Sequence, residues 1–134
     1  MIQVVADSNV YISALVFGGV PSAVLQLAEE GEFTLWVSEP IRAEVEGVLT
    51  RKFGWSEQRL SMARRAVWSF TNLVTPRQPV TACDDPADNR ILECALEAQA
   101  QVIVTGDDDL LRLKRFEGIR ILAPRAFLDS HMWA

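Results

Sequence analysis

The chain has 134 residues, of which 49% are hydrophobic and 23% are charged. This length and composition fit one domain with a sizeable core and exclude a disordered protein. No apolar run approaches the length of a membrane span, and the N-terminus lacks the basic region of a signal peptide. The two cysteines form neither a metal-binding pair nor a secreted disulfide framework. We therefore expect a single domain over residues 1–134 in a reduced cytoplasm, without membrane association.

The net charge of −5 is distributed in alternating blocks along the chain. Residues 1–41 contain five acids and no lysine or arginine, and residues 78–111 carry a net charge of −7. Residues 42–77 and 112–134 carry net charges of +4 and +3. The acidic total therefore does not exclude a phosphate-bearing partner, because bound cations would offset the acidic blocks and leave the basic ones available.

Short apolar runs of strand length alternate along the chain with longer stretches of helical periodicity. The apolar runs predict strands at residues 2–6, 33–37, 73–75, 101–105 and 119–122. Amphipathic spacing and capping residues predict helices at about 8–15, 22–30, 38–52, 56–72, 85–98 and 107–113, with a last short helix from Pro124. Residues 17–21, which include two glycines and a proline, are predicted as a loop.

This alternation, together with the absence of hairpin signals, predicts an α/β domain with a central parallel sheet and helices on both faces. In such sheets ligands bind beyond the carboxyl ends of the strands. Asp7 directly follows the first strand, and Asp107 follows the fourth strand after Gly106. Asp88 lies in the first turn of a helix that a loop connects to the third strand. We therefore expect these three carboxylates to converge at one edge of the sheet.

Glu44 is a fourth candidate, on the helix that follows the second strand. The apolar stripe of that helix consists of Ile41, Val45, Val48 and Leu49. Glu44 borders this stripe, whereas Glu46 is expected to project away from it. Because the helix begins just after a strand, Glu44 can reach the same edge of the sheet as the three aspartates.

Each acid also has a simpler explanation that the sequence leaves open. Asp7 is placed to cap the first helix, and Asp88 with Asp85 resembles a pair that satisfies first-turn amides. Glu44 fits a solvated residue at the margin of its helix, and Asp107 with the two acids after it fits a solvated turn. Only the joint placement of the acids favours a shared site.

Converging carboxylates limit the kind of ligand they can bind. Carboxylates within a few ångströms of one another cannot all remain ionised unless protons or cations lie between them. The candidate ligands are all oxygens, because the single histidine, His131, is near the C-terminus and neither cysteine is placed to help. Such a site suits Mg²⁺ or Mn²⁺ rather than Zn²⁺ or copper. One or two such ions can activate a water and stabilise the leaving oxygen of a phosphodiester.

Four segments carry a resemblance to a known family. They are VVADSN at 4–9, Ser38-Glu39-Pro40 with Glu44 six residues after Ser38, DPADNRIL at 85–92 and VTGDDDLL at 104–111. In order and spacing these segments resemble PIN domains, and more narrowly the VapC-like ribonucleases that are toxin components of toxin–antitoxin pairs. The resemblance extends over nearly the whole chain, and Ser8 stands where threonine is common in the family.

The resemblance implies a three-layer α/β/α domain with a central parallel sheet that cleaves single-stranded RNA with one or two Mg²⁺ or Mn²⁺ ions. The implied catalytic and metal-binding quartet is Asp7, Glu44, Asp88 and Asp107. Asp109 would be a further metal ligand, and Asn9 and Thr105 would orient ligands or water through hydrogen bonds. A homodimer and inhibition by a small antitoxin protein are also implied.

Two basic segments are candidates for contact with RNA. The candidate residues are Arg51, Lys52, Arg112, Lys114 and Arg115. Trp55 and Trp68 lie near the first segment, and basic residues combined with aromatic ones can hold a single strand and stack on its nucleobases. The alternative is that the basic residues solvate an exposed helix face while the two tryptophans pack in the core or at a dimer interface.

Two other functions compete with a ribonuclease. A Mg²⁺-dependent phosphatase with Asp7 as nucleophile would favour a second acid two residues later, where this chain has Asn9, and a positioned lysine. A non-catalytic, receiver-like binding module would favour paired acids at the end of the first strand, and only Asp7 is there. A degenerate nuclease would be expected to lose members of the quartet, all of which are present.

Overall fold

The computed structural model describes residues 1–134, and its centre is one six-stranded sheet. The strands are β1 (Gln3–Ala6), β2 (Thr34–Val37), β3 (Thr71–Leu73), β4 (Val102–Val104), β5 (Arg115–Phe116) and β6 (Ile119–Leu122). Their order across the sheet is β3-β2-β1-β4-β6-β5, and every neighbouring pair is parallel except β5 and β6. The predicted α/β architecture with a largely parallel sheet is confirmed.

Seven helices flank this sheet. They are α1 (Ser8–Phe17), α2 (Gly19–Glu29), α3 (Glu39–Phe53), α4 (Glu57–Val67), α5 (Pro86–Glu97), α6 (Asp108–Leu113) and α7 (Pro124–Ser130). A 3₁₀ turn at Trp68–Phe70 connects α4 to β3. None of the helices alone has the length and apolar character needed to cross a membrane; α1 and α2 meet that criterion only as a pair, bent by 107°.

Two predicted boundaries were wrong: those of the loop at 17–21 and the end of the helix at 56–72. The loop predicted at 17–21 is reduced to Gly18, because Pro21 lies in the first turn of α2. Amides of a first turn have no acceptor within the helix, so a proline, which lacks the amide proton, is tolerated there. The helix predicted to extend to residue 72 ends at Val67. The chain then turns and enters β3 at Thr71, two residues earlier than expected.

The sheet also contains a hairpin that the sequence did not predict. Strands β5 and β6 pair antiparallel around Glu117 and Gly118, which both adopt positive φ, at 48° and 82°. Such turns are usually signalled by asparagine or aspartate before the glycine, because those residues tolerate positive φ better than most. A glutamate at that position gave no such signal.

Helices cover both faces of the sheet, as the burial of its central strands requires. Val4 and Val5 are adjacent on β1 and point to opposite faces, yet both are fully buried. The three residues of β4 are fully buried as well. Strands that are buried on both faces consist of continuous apolar runs, which made these two strands recognisable in the sequence. Cys94 is also fully buried in this core.

The sheet order places the ends of β1 and β4 side by side. Ala6 pairs with Val104, and the amide of Asp7 donates to the Val104 carbonyl at 2.9 Å. Because the strands are parallel, the residues that follow them, Asp7 and Thr105, leave the sheet at the same edge. Helix α5 packs against β1 and β2, and its first turn contains Asp88.

Candidate metal centre

A hydroxyl bridge joins the segments that follow β1 and β4. Thr105 Oγ1 donates to Oδ2 of Asp7 at 2.6 Å and accepts from the amide of Asp107 at 3.0 Å. Thr105 is fully buried, and its single hydroxyl proton is donated to Asp7. This contact fixes the Asp7 carboxylate relative to the segment that carries Asp107.

Asp7 is buried, and both of its carboxylate oxygens accept hydrogen bonds. Its Oδ1 accepts from the Asn9 amide at 3.3 Å, so Asp7 caps α1 in addition to contacting Thr105. Burial raises the pKa of Asp7, the hydrogen bonds oppose this increase, and the charge of Asp107 adds to it. Asp7 is therefore both a helix cap and a member of a charged group. The side chain of Asn9 is exposed, and Asn9 contacts Asp7 through its main-chain amide.

Asp88 carries a buried oxygen that no group of the chain satisfies. It lies in the first turn of α5, but the cap of this helix is Asp85, whose Oδ1 accepts from the Ala87 amide at 2.9 Å. Asp88 is only 5% exposed, and its Oδ2 has no hydrogen-bond partner. Burial raises the pKa of Asp88 to about 6, together with the charges of nearby acids, of which Asp107 has the largest effect. Capping of α5 therefore accounts for Asp85 and leaves Asp88 unexplained.

Asp107 and Asp109 form a group with Asp88. One carboxylate oxygen from each of the three residues lies within 4.8 Å of the others. Asp107 also caps α6, since its Oδ1 accepts from the Asp109 amide at 2.7 Å. Asp109 is exposed and forms an ion pair with Arg112 at 2.9 Å. Asp108, between the two ligand candidates, is exposed and lies outside the group.

This acidic group, formed by Asp88, Asp107 and Asp109, fits a hard divalent cation. Its donors are all carboxylate oxygens, and the unpartnered Oδ2 of Asp88 lacks the positive charge or donor that a buried carboxylate requires. Oxygen-only donor sets of this kind favour Mg²⁺ or Mn²⁺ over softer metals. Burial and, after it, the charges of nearby acids raise the pKa values of Asp7 and Asp88, and a bound cation would offset that repulsion.

Glu44 and Glu46 of α3 differ in a way that the sequence did not predict. Glu44 is exposed and lies outside the acidic group, whereas Glu46 is half-buried. Glu46 accepts from Arg64 Nε at 2.9 Å and from Trp68 Nε1 at 3.1 Å. Glu46 was expected to project away from the apolar stripe of α3, and α4 and the 3₁₀ turn place two donors beside its side chain, so that it is paired and not merely solvated. Glu44, in the second turn of α3, stays a predicted ligand.

The basic candidates divide into a near set and a far set. Arg112 pairs with an acid of the group and therefore lies beside it. Lys114 and Arg115 are exposed and follow α6 directly. Arg51 and Lys52 lie in the last turn of α3, roughly 20 Å along the helix from its start, at 1.5 Å per residue. The near set is thus better placed to meet a ligand of the acidic group.

The two tryptophans of the basic segment are both packed against other side chains. Trp55 is 9% exposed, and the guanidinium of Arg59 lies 3.9 Å from its ring centre. Trp68 meets Tyr11 edge-on, with the ring centres 5.1 Å apart. These contacts favour the packing explanation for both tryptophans over stacking on a nucleic acid.

Sequence reasoning missed the structural part played by Asn89. Its side chain is buried, its Oδ1 accepts from the Cys83 amide and its Nδ2 donates to the Cys83 carbonyl, both at 2.8 Å. Two bonds to one main-chain residue hold the loop before α5 against the helix. The available signal was a polar residue directly after Asp88, on the same side of α5 as the apolar residues Ile91 and Leu92.

Comparison with known proteins agrees with the resemblance seen in the motifs. A family model described as a PIN domain matches residues 3–109. The chain is 33% identical over 118 residues to an uncharacterized protein of Methanocaldococcus jannaschii. The aligned part covers 84% of this chain and 76% of that protein. The fold of the present chain is similar to that of a chain in the crystal structure of VapBC2 from Rickettsia felis bound to a DNA fragment from their promoter. That similarity has a TM-score of 0.60 and 14% sequence identity, and covers 89% of this chain and 96% of the other. The chain therefore belongs to the PIN-domain family.

Proposed function

We propose that this chain is an endoribonuclease that hydrolyses single-stranded RNA with one or two Mg²⁺ or Mn²⁺ ions. PIN domains are generally metal-dependent nucleases, so family membership supports the reaction class. The observation that carries the proposal is the buried, unpartnered Oδ2 of Asp88 in a group with Asp107 and Asp109. A buried carboxylate oxygen without a donor is strongly unfavourable, and a divalent cation would compensate it together with the charges of the two neighbouring carboxylates.

Each side chain of the site has a distinct part in this proposal. Asp88, Asp107 and Asp109 would hold the ion, and Asp7, directly after β1, and Glu44, on α3, would complete the site. The ion, when bound, lowers the pKa of a water and stabilises the leaving oxygen of the phosphodiester. Thr105 holds the Asp7 carboxylate in place before any ion binds, which reduces the rearrangement that binding requires.

The RNA backbone would be held by the basic residues nearest the acidic group. Residues 78–111 carry a net charge of −7, which repels phosphates until cations bind there. Arg112 adjoins the acidic group, and Lys114 and Arg115 extend the positive charge along the next segment. Arg51 and Lys52 would contact only a longer substrate, because they lie at the far end of α3.

We further propose that the chain is the toxin of a toxin–antitoxin pair and forms a homodimer that a small antitoxin protein inhibits. The similarity to a chain of a VapBC2 structure and the VapC-like motifs support this role. Co-expression with the product of a small neighbouring open reading frame tests it. Stable co-purification and suppressed RNA cleavage are expected, and sedimentation of the chain alone should give twice the monomer mass. Unimpaired cleavage by a mixture of the two proteins would remove the antitoxin from the proposal.

The activity is tested by incubating the purified protein with single-stranded RNA and Mn²⁺ or Mg²⁺. We expect cleavage that EDTA abolishes. Asp7→Asn and Asp88→Asn should each reduce the rate by roughly a hundredfold or more, because even the outer partners of metal ligands contribute about 10–100-fold. Asp108→Asn is the matched control, since Asp108 is an exposed acid of the same region outside the acidic group. Its rate should equal that of the wild type.

Three outcomes of this experiment would contradict parts of the proposal. Cleavage that survives both Asp7→Asn and Asp88→Asn would refute the site assignment. Equal cleavage in the presence of EDTA would remove the metal from the reaction. Hydrolysis of a phosphomonoester by a protein that leaves RNA untouched would favour a phosphatase.

A further inference from the structure

A cavity opens next to the acidic group, between the loop before α5 and helix α6. Its volume is about 360 Å³, and it is lined by Ala82, Cys83, Asp84, Asp109, Arg112 and Leu113. This volume lies within the range of about 300–1,000 Å³ that is typical of small-molecule sites. The cavity shares Asp109 with the acidic group, so a phosphodiester bound at the group has the cavity as its immediate neighbour.

The walls of the cavity combine apolar surface with one cationic group. Ala82, Cys83 and Leu113 provide the apolar part, and Leu113 leaves 37% of its surface exposed to water. The guanidinium of Arg112 lies at the cavity and pairs with Asp109 at 2.9 Å. A nucleobase has apolar faces, and proteins that bind single strands stack these faces on guanidinium planes and flat side chains. A free anion fits less well, because two of the three charged lining residues are acids.

One wall of the cavity is fixed in position by a buried side chain. The amide of Asn89 bonds both the N–H and the carbonyl of Cys83 at 2.8 Å, and Asn89 is only 6% exposed. The wall is therefore held in place before any ligand binds. Preorganisation of this kind increases affinity because less order has to be created on binding.

We propose that this cavity binds one nucleobase of the RNA, namely that of a nucleotide next to the scissile phosphate. The proposal rests on the ribonuclease function proposed above and adds a base-binding subsite to it. Asn89 is a positioning residue in this arrangement, since it holds the wall formed by Cys83 without contacting the base.

A cycle of two changes, one in the protein and one in the RNA, tests the subsite. The wild type with Mn²⁺ first locates the cleaved bond in an RNA oligonucleotide, which is then remade with an abasic residue on either side of that bond. Ala82→Leu fills part of the cavity without adding a ring or a charge. We expect Ala82→Leu to slow cleavage of the intact RNA about tenfold, and base removal on one side to slow the wild type about as much. The two changes together should slow cleavage no further, because both remove the same contact.

Ala126→Leu is the matched control for this cycle. Ala126 is an exposed alanine of α7 outside the cavity, so the control adds the same volume to a surface without the subsite. Ala126→Leu should cleave the intact and the abasic RNA at the wild-type rates.

Asn89→Ala tests the same wall by a second route. Loss of its two hydrogen bonds should raise the KM for RNA several-fold and change kcat less. Glu93→Ala is the control, because Glu93 accepts from the Val80 amide at 2.9 Å and so anchors the same loop one turn of α5 further on. Both variants should lower the melting temperature, whereas only Asn89→Ala should raise KM.

The possible results separate the subsite from the ribonuclease. Cleavage of RNA by the wild type, with additive effects of Ala82→Leu and base removal on both sides, would refute the subsite and leave the ribonuclease standing. Wild-type rates for Ala82→Leu on intact RNA would have the same meaning. Absence of RNA cleavage by the wild type with either metal would refute the ribonuclease itself, and the subsite with it.

Discussion

Glu46 is half-buried and Asp88 is buried, and the two carboxylates differ in their hydrogen bonds. Other side chains of the protein donate to Glu46, whereas one oxygen of Asp88 has no donor. Glu46 lies between α3 and α4, where the guanidinium of Arg64 and the indole of Trp68 donate to it at 2.8 to 3.1 Å. Burial alone would raise the pKa of Glu46, but these hydrogen bonds outweigh it and leave the pKa below the ordinary value. Asp88 has a buried oxygen without a partner, and burial with the nearby acids raises its pKa to about 6.

This difference separates acids that support the fold from acids that await a ligand. A shielded carboxylate in a structural position finds its donors within the chain, as Glu46 does in Arg64 and Trp68. The acids beyond β1 and β4 instead repel one another, and that repulsion is what a cation would relieve. A change at Glu46 should therefore affect stability alone, and a change at Asp88 should affect metal binding first.

The largest expected effect is stabilisation of the folded protein by Mn²⁺. An ion present at a hundred times its Kd raises the free energy of unfolding by about 2.7 kcal/mol. Asp88→Asn should lose most of this increase, because it removes one ligand charge from the acidic group. Thermal unfolding with and without Mn²⁺ measures the effect, and Glu46→Gln serves as a control that should retain it. Equal stabilisation of the wild type and Asp88→Asn would mean that the ion binds elsewhere.

Truncation of Glu46 should produce the next largest effect. Glu46→Ala leaves the Trp68 indole without its acceptor and removes one of two acids that pair with Arg64, the other being Glu57. We expect a loss of roughly 2 kcal/mol in the free energy of unfolding, since Arg64 is part-exposed and can be hydrated instead. Urea unfolding measures this loss. The Kd for Mn²⁺ should stay unchanged in the folded variant. A higher Kd would mean that the contacts of Glu46 and the acidic group are energetically coupled.

Removal of the charge at Asp88 should stabilise the metal-free protein. The folded protein keeps the Asp88 proton up to about pH 6, whereas the unfolded chain loses it near 3.8, so this group lowers stability as pH rises between those values. Asp88→Asn should be more stable than the wild type by on the order of 1 kcal/mol at pH 7, a value that allows for screening by water at the site. The difference should vanish toward pH 4. A difference that does not depend on pH would mean that Asp88 ionises as an ordinary aspartate.

The placement of acids at the ends of strands could be predicted from the sequence, because it depends only on neighbouring residues. Asp7 and Asp107 follow short apolar runs, so the end of each strand and the edge it shares with its neighbour were readable. Partners from distant segments were not readable: Glu46 meets donors 18 and 22 residues away, and Thr105 meets Asp7 across 98 residues. Periodicity gives the direction of a side chain relative to its own helix and says nothing about what packs there. The part of Thr105 followed from the family resemblance alone.

Substitution of Glu44 should produce the smallest change in the free energy of unfolding. It also tests most directly which glutamate of α3 belongs to the metal centre. Its side chain is exposed and has no ion pair, so Glu44→Gln should alter the free energy of unfolding by less than about 0.5 kcal/mol. If Glu44 completes the metal centre as the motifs predict, the same variant should reduce RNA cleavage at limiting Mn²⁺ by about 10–100-fold. Glu46→Ala, two residues away, should show the opposite pattern, with lower stability and an unchanged metal requirement. Wild-type cleavage by Glu44→Gln at every Mn²⁺ concentration would place Glu44 among the solvated residues of α3 and leave the centre to the four aspartates.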